Sequence, residues 1–363
     1  MFKNRVDYTY QVANIQQYTK VIESLELKYP VNEHMPVLYH GAPNLDLQIN
    51  NKKSILGLPN SQPTKIKEQL IGNTISLPDK LNWFNYELAN DSIDIQPEQF
   101  LAYAHHEGVE TNLLEVTKHP LVALFYALDN QISKEGYVYI YHSPISNVTS
   151  LFKETDNINL SDILLTNDQQ LIDHILHIFL GEKLSSKNSY KNQIINHCRI
   201  YYQLLNNSNK MAIHNDPTDD SLHKMIKNIV KYDSSDYLKT KYQNSSGCAS
   251  DVSHYFIALR GVLRLQRQTE STQFPIYKSG ALSLYNPSLN FKKGLSQDNL
   301  FIYQNYALNC ESTLISLEPI VPVTAIKITN KENILKTLDK FNINRNSVYG
   351  DHISTTKDFV ISA

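Results

Sequence analysis

The run Leu101-Ala102-Tyr103-Ala104-His105-His106-Glu107-Gly108-Val109-Glu110-Thr111-Asn112-Leu113-Leu114-Glu115-Val116-Thr117-Lys118-His119-Pro120-Leu121-Val122-Ala123-Leu124-Phe125-Tyr126-Ala127-Leu128 carries most of what the chain says about its fold. Just ahead of it, Gln96-Pro97-Glu98-Gln99 opens a helix, because proline is tolerated at a position whose N–H has no helical partner. That helix is expected to run through Phe100, Leu101 and Ala104 until Gly108 ends it. A second start at Thr117 introduces the compact apolar helix Pro120–Leu128. Next, Gly136-Tyr137-Val138-Tyr139-Ile140-Tyr141-His142 is aromatic and β-branched and apolar nearly throughout, the pattern of a central strand buried on both faces. Upstream, Pro36-Val37-Leu38-Tyr39-His40-Gly41 is a short strand that stops abruptly, with Pro43 following. Residues 30–145 are thus expected to form a strand, helix, helix, strand unit.

Outside this unit, apolar residues at helical spacing from Tyr8 to Leu27 (Val12, Ile15, Tyr18, Val21, Ile22, Leu25) predict a covering helix over 1–30 that Pro30 closes. Asn50 to Gly72 is polar and carries Pro59 and Pro63, a surface excursion. From Leu160 to Tyr242 the periodicity is helical (Ile163, Leu164, Leu171, Ile172, Ile175, Phe179), with polar connections at Ser185–Asn188 and Asn206–Asn209. Strand-like runs return in His254–Leu265, Phe274–Tyr277, Thr313–Leu317 and Val323–Ile328, before a last helix from Asn330 to Phe341. The expected organisation is α+β, with a first core part at 31–150, an inserted helical block at 160–245 and a second core part at 250–363. No repeat of fixed period is visible.

At 363 residues the chain is about two domains long. With 34 Lys and Arg against 36 Asp and Glu, the net charge of −2 offers no global basic field for DNA or a membrane surface. Hydrophobic residues at 41% are too many for a disordered chain. No stretch approaches the roughly 18 apolar residues of a spanning helix, and Met1–Asp7 runs into polar sequence without a secretory core, so cytoplasmic residence is the expectation. Cys198, Cys248 and Cys310 lie far apart, which indicates neither a disulfide framework nor a zinc knuckle. There is no nucleophile elbow, Walker loop or dinucleotide fingerprint. His174 and His177 lack a carboxylate at ligand spacing and are expected to be surface histidines, so no metal is implied. Arg260 and Arg264 share a strand face while Arg267 takes the other, so they make no single basic patch.

The central run resembles the core motif of the FRG domain, in which Gln-His-x-Gly-x-Pro-Thr-Arg-Leu-Leu-Asp-Trp-Thr precedes Pro-Leu-Val-Ala-Leu and an aromatic. Leu38-Tyr39-His40-Gly41 falls where that family carries its aromatic-Arg-Gly triplet, and Leu263–Gln268 with Phe274 resembles its later Arg- and Gln-rich strand. Lys331–Phe341 looks like its closing helix. The chain departs from the pattern: the family's first Arg is His40 here, its Gln is His105, its Pro is Glu110, its second Arg is Asn112, its Asp is Glu115 and its Trp is Val116.

With His in place of Arg, Leu38–Gly41 is also similar to the first NAD-binding motif of ADP-ribosyltransferases of the diphtheria-toxin and poly(ADP-ribose) polymerase class. That resemblance implies a split mixed or antiparallel β core, Tyr39, His40 and Gly41 holding NAD, and Thr117 supporting the ribose. It further implies a late-strand catalytic Glu270 or Gln268, with Glu115 the alternative carboxylate, and His40 as a catalytic residue that with Gly41 holds the adenosine-side ribose and the nicotinamide amide. Loss of nicotinamide passes through an oxocarbenium-like state, which a carboxylate can offset and an amide cannot; Glu270 is therefore preferred to Gln268. His40 could equally be a hydrogen-bonded structural residue, and His105-His106 helix-end cations set against the dipole. The expected function is an NAD-dependent ADP-ribosyltransferase, with NAD as substrate and a macromolecular acceptor, nucleic acid or protein. An intracellular toxin or antiphage effector, with an antitoxin or chaperone as a further partner, fits that chemistry. A non-catalytic FRG-type module that binds a nucleotide or protein, and an NAD glycohydrolase, are the alternatives.

Overall fold

The computed structural model describes residues 8–29, 31, 35–43, 77–129, 135–143, 145–155, 157–171, 174, 175, 178, 282–289, 300–308, 314–316 and 322–349. Glu270, Gln268, the arginines at 260, 264 and 267, the strand-like runs at 254–265 and 274–277, and most of the helical block at 160–245 lie outside the described residues. In chain order the elements are β1 (Tyr8–Val12), α1 (Ile15–Lys28), β2 (Val37–Ala42), α2 (Leu77–Asn90), α3 (Pro97–His106), β3 (Leu113–Val116), α4 (Pro120–Leu128), β4 (Gly136–His142) and β5 (Ile145–Asn147). They continue with α5 (Thr149–Lys153), α6 (Leu160–Leu164), β6 (Leu282–Tyr285), β7 (Leu300–Tyr303), β8 (Tyr306–Leu308), β9 (Leu314–Ser316), β10 (Thr324–Ile328), α7 (Lys331–Lys340) and α8 (Arg345–Tyr349).

The fold is α+β, with two four-stranded mixed sheets ordered β1-β10-β4-β2 and β3-β7-β6-β5, and a small β8-β9 ladder. In the first sheet β1 runs parallel to β10 while β10, β4 and β2 are antiparallel neighbours. Strand alternation splits its side chains cleanly. Tyr39, Val138, Ile140, Ile326 and Ile328 join Tyr18, Ile22 and Leu25 of α1, Leu124 and Phe125 of α4 and Ile334 and Leu338 of α7 in one apolar core. Leu38, Tyr139, Tyr141 and Ala325 face the other way, against Leu114, Val116, Leu284, Leu300 and Ile302 of the second sheet. The far face of that second sheet carries Tyr285 and Phe301, which meet Phe152 of α5 and the two histidines that end α3. Helices, sheet, sheet and helices therefore stack as successive layers.

The strand β2, the helices Pro97–His106 and Pro120–Leu128, the central strand β4 and the closing helix α7 are found where the sequence puts them. The N-terminal reading is corrected. Tyr8–Val12 is a strand and not the first turns of a helix, and α1 begins only at Ile15, where the Asn14 side chain accepts from the Gln17 N–H. Helical spacing counted back past a cap residue had merged two elements. Helix α2 and strand β3 are additions to the expected strand, helix, helix, strand unit. β3 is only four residues long and follows a turn, too short for its alternation to stand out.

Glycines at two places fix the packing that the site depends on. A methyl group on Gly41 would lie inside van der Waals distance of the Ala123 carbonyl oxygen and 2.6 Å from the Ala127 nitrogen. On Gly136 it would strike the Ala127 carbonyl. Helix α4 thus rests with its backbone directly on β2 and β4, which only a residue without a side chain permits. Gly108 serves differently: it has φ of 82° and open space around it, and it ends α3. The Gly108 N–H donates to His105 O and the Val109 N–H to Ala104 O, the paired bonds of a left-handed helix end.

Candidate functional site

Beyond the two sheets' face-to-face packing, β2 and β3 meet edge to edge. The Tyr39 N–H donates to Thr117 O at 2.8 Å and the Thr117 N–H to Tyr39 O at 2.9 Å, a single bridge that stitches the edge of one sheet to the edge of the other. One residue further along β2, His40 Nδ1 lies 2.7 Å from Glu115 O. A carbonyl oxygen only accepts, so the proton sits on Nδ1, and the Nε2 edge is the one that can take up a proton. The ring stacks over Tyr139 of β4 with centroids 6.2 Å apart.

Three further groups converge here. His105, in the last turn of α3, packs edge-on against Phe301 with centroids 5.5 Å apart and has Nδ1 2.9 Å from Thr111 Oγ1. Burial pushes its pKa down to about 4, and the nearby charges of His106 and His40 act the same way. The expected helix-end cation is thus corrected for His105: its imidazole is neutral at pH 7. His106 stands beside it, 6.1 Å between centroids. The Glu115 carboxyl is pushed up to about 7 by burial, with the Tyr126 hydroxyl of α4 acting in the opposite direction. Such a carboxyl changes charge near neutrality, and this sets it apart from an ordinary surface acid.

Not every residue of the expected site takes part. Tyr39 points away from His40, into the core with Tyr18, and is 2% exposed. The face of Gly41 that a side chain would occupy is filled by α4. The Thr117 hydroxyl accepts from the His119 N–H at 3.0 Å, shaping the turn that launches α4, and Thr117 is itself buried. Asn112 is wholly buried and ties β3 to the end of β7, its Nδ2 donating to Gln304 O at 2.9 Å. What the structure gathers is His40, His105 and His106, with Glu115 joining through its backbone oxygen while its carboxyl lies by Tyr126. Of these the sequence reading had put forward His40, with Glu115 as an alternative.

A chain of contacts runs from Glu115 to the C-terminal helix. The ring of Tyr126 lies 5.8 Å from that of Tyr349 in α8, and Arg345 Nε bonds Asp129 Oδ1 at 2.8 Å, pinning α8 to the end of α4.

Residues 39–136 match the FRG domain. The match starts inside β2 and ends on the first residue of β4, so it encloses His40, His105, His106, Glu115 and Thr117. The chain carries this domain where its central motif led one to expect it. No curated protein and no solved structure matches the chain. Among the described residues no helix is long and apolar enough to cross a membrane, and no group of three or more His, Cys, Asp or Glu is arranged to hold a metal ion.

Proposed function

We propose that the chain is an NAD-dependent enzyme of ADP-ribosyltransferase-like type, working where β2 meets β3 and transferring ADP-ribose to a macromolecular acceptor, nucleic acid or protein, as a toxin or antiphage effector. The observation that supports this is the meeting of His40, His105 and Glu115. These are three of the positions at which the chain replaces the polar residues of the FRG motif, Arg, Gln and Asp respectively. Independent decay would leave apolar or scattered residues there. Each replacement instead keeps a hydrogen-bonding or ionisable group, and the three sit together.

The reaction breaks the bond between ribose C1′ and nicotinamide, the leaving group departing with the bonding pair, and an acceptor oxygen or nitrogen then bonds to C1′ and gives up a proton. Glu115, ionised in part at pH 7, suits that proton transfer. His40, held by the Glu115 carbonyl, suits positioning of the cofactor by hydrogen bonding. Glu270 keeps its proposed part as the carboxylate that offsets the positive charge on the sugar, with Gln268 as the alternative.

One observation favours the other reading, a module that binds a partner or nucleotide without chemistry: Gly41 faces α4 and Tyr39 faces the core, so two of the three residues of the first motif turn away from His40. The deciding experiment incubates the purified chain, with His40→Ala, Glu115→Gln and Glu270→Ala variants, with labelled NAD and a cell lysate, following label on protein and nucleic acid separately. Transfer by the wild type, lost in the His40 variant and in at least one carboxylate variant, is the expected result. Intact NAD under every condition leaves the binding module.

A further inference from the structure

Away from the seam, three side chains form a second constellation. Ser150 stands in the first turn of α5, which follows directly from β5, and its Oγ lies 3.0 Å from His174 Nε2. The other ring nitrogen, His174 Nδ1, lies 2.6 Å from Glu154 Oε1, one residue beyond the end of the same helix. Ser150 and Glu154 are four apart in sequence and so share a helix face, and the imidazole spans them. The Glu154 carboxylate holds the proton on Nδ1, which turns the Nε2 lone pair toward the Ser150 hydroxyl. A nucleophile bonded to a base, with the base oriented by a carboxylate, is the arrangement that activates serine; it is recognised by these roles and not by a sequence pattern. All three side chains reach solvent in part, His174 being 28% exposed and Glu154 43%.

From this geometry we infer that Ser150, His174 and Glu154 form a nucleophilic serine site, with Ser150 attacking, His174 as general base and Glu154 as the positioning residue, acting on an uncharged ester. Ser150 Oγ bonds to the acyl carbon while its proton passes to His174 Nε2. Collapse then expels the alcohol, which takes that proton from His174. Water, deprotonated by His174, cleaves the acyl-serine to release the acid and restore Ser150. The loop that leaves Glu154 forms one wall of an adjoining cavity of about 520 Å³, closed by Asn82, Asn159 and Asp162 with apolar Pro78 and Ile158. Amide and apolar groups surround a single carboxylate there, which is why the substrate class is an uncharged ester.

The site is independent of NAD chemistry, and its test is separate. The full chain is treated with a fluorophosphonate probe, in which Oγ bonds to phosphorus and fluoride leaves, and the adduct is located by mass spectrometry. Hydrolysis of p-nitrophenyl acetate is followed in parallel. Expected are an adduct on Ser150, its loss in Ser150→Ala, and labelling slowed by about 100-fold in His174→Gln and about 10-fold in Glu154→Gln, with circular dichroism unchanged. Glu154 is the most exposed of the residues changed, so its variant keeps the test open if His174→Gln fails to fold. No adduct on Ser150 in the folded wild type, or a labelling rate unmoved in a folded His174 or Glu154 variant, overturns the proposal.

Discussion

Among the described residues, two sites built around histidine differ in how the ring is controlled. At the seam, His105 is governed by what surrounds it: packing against Phe301 removes water, and the pKa falls to about 4. Against α5, His174 is governed by partners, with a carboxylate at 2.6 Å and a hydroxyl at 3.0 Å while about a quarter of its side chain stays exposed. Burial sets the protonation state of the first without dictating a hydrogen-bond direction. Pairing sets the direction of the second without requiring burial. Changes to the packing should therefore disturb the seam and spare the helix site, and changes to a single partner should do the reverse.

The largest effect is expected from Gly41→Ala. Its added methyl meets backbone atoms of α4, which cannot rotate out of the way, so β2 and α4 must separate. A loss of about 3 kcal/mol or more in chemical denaturation is expected, at or above the usual cost of overpacking. Gly108→Ala is the contrast, since that site has space and only an unfavourable φ; about 1 kcal/mol is expected. Equal costs for the two would mean that α4 does not rest on β2 as described.

Next in size is the pH dependence of stability. Glu115 has its pKa raised from 4.5 to about 7 in the fold, so between those values the folded chain keeps a proton the unfolded chain has lost, and this group makes stability fall as pH rises. His105 has its pKa lowered from 6.5 to about 4, so across that range the unfolded chain holds the extra proton and stability rises with pH. The two slopes oppose each other between about pH 4.5 and 6.5. Relative to wild type, Glu115→Gln should give stability that climbs with pH through this window, and His105→Gln stability that declines up to about pH 7, each by on the order of 2 kcal/mol. Parallel curves for both variants and the wild type would show that neither group is desolvated in the fold.

A smaller effect is expected where the seam is braced from outside. Arg345→Ala removes the bond that pins α8 to α4 through Asp129, whose side chain is 13% exposed. About 1 to 2 kcal/mol should be lost, because a largely buried carboxylate loses the cation bonded to it and is left with the Tyr349 side chain and the charge of Lys331. Hydrogen exchange should quicken in 345–349 before it does in β4. Uniform quickening would mean that α8 is part of the same cooperative unit as the sheet.

How much of this was written in the sequence follows the range of the interactions. Gly108, Pro97 and Pro120 act within one turn, so the limits of α3 and α4 could be read directly. The unbroken apolar run of β4 announced a central strand, and it lies between β10 and β2. Tyr8–Val12 was misread because its pairing with β10 spans more than three hundred residues, while its local spacing continues the periodicity of α1. The seam was half legible. His40 stood out as a departure inside a motif, but that Glu115 presents its backbone oxygen to His40, with its carboxyl buried near α4, depends on how two sheet edges meet. Ser150 and Glu154 gave no signal, since an i,i+4 pair of common residues becomes a site only when His174 arrives from a later helical stretch.

The smallest effect is the one that separates chemistry from architecture at the helix site. Glu154 is 43% exposed and its pairing with His174 is open to water, so Glu154→Gln should cost no more than about 0.5 kcal/mol of stability. The ring would still be bridged to Ser150, but an amide can present its nitrogen as readily as its oxygen, and the Nδ1–H tautomer would no longer be enforced. A network whose work is to tie α5 to the later helical residues would show its loss in the melting temperature and leave Ser150 equally inert before and after. If it serves to direct the lone pair of His174, thermal stability will hardly move while the reactivity of Ser150 falls by about tenfold. The two readouts move in opposite proportion under the two roles, so one variant, measured both ways, distinguishes them.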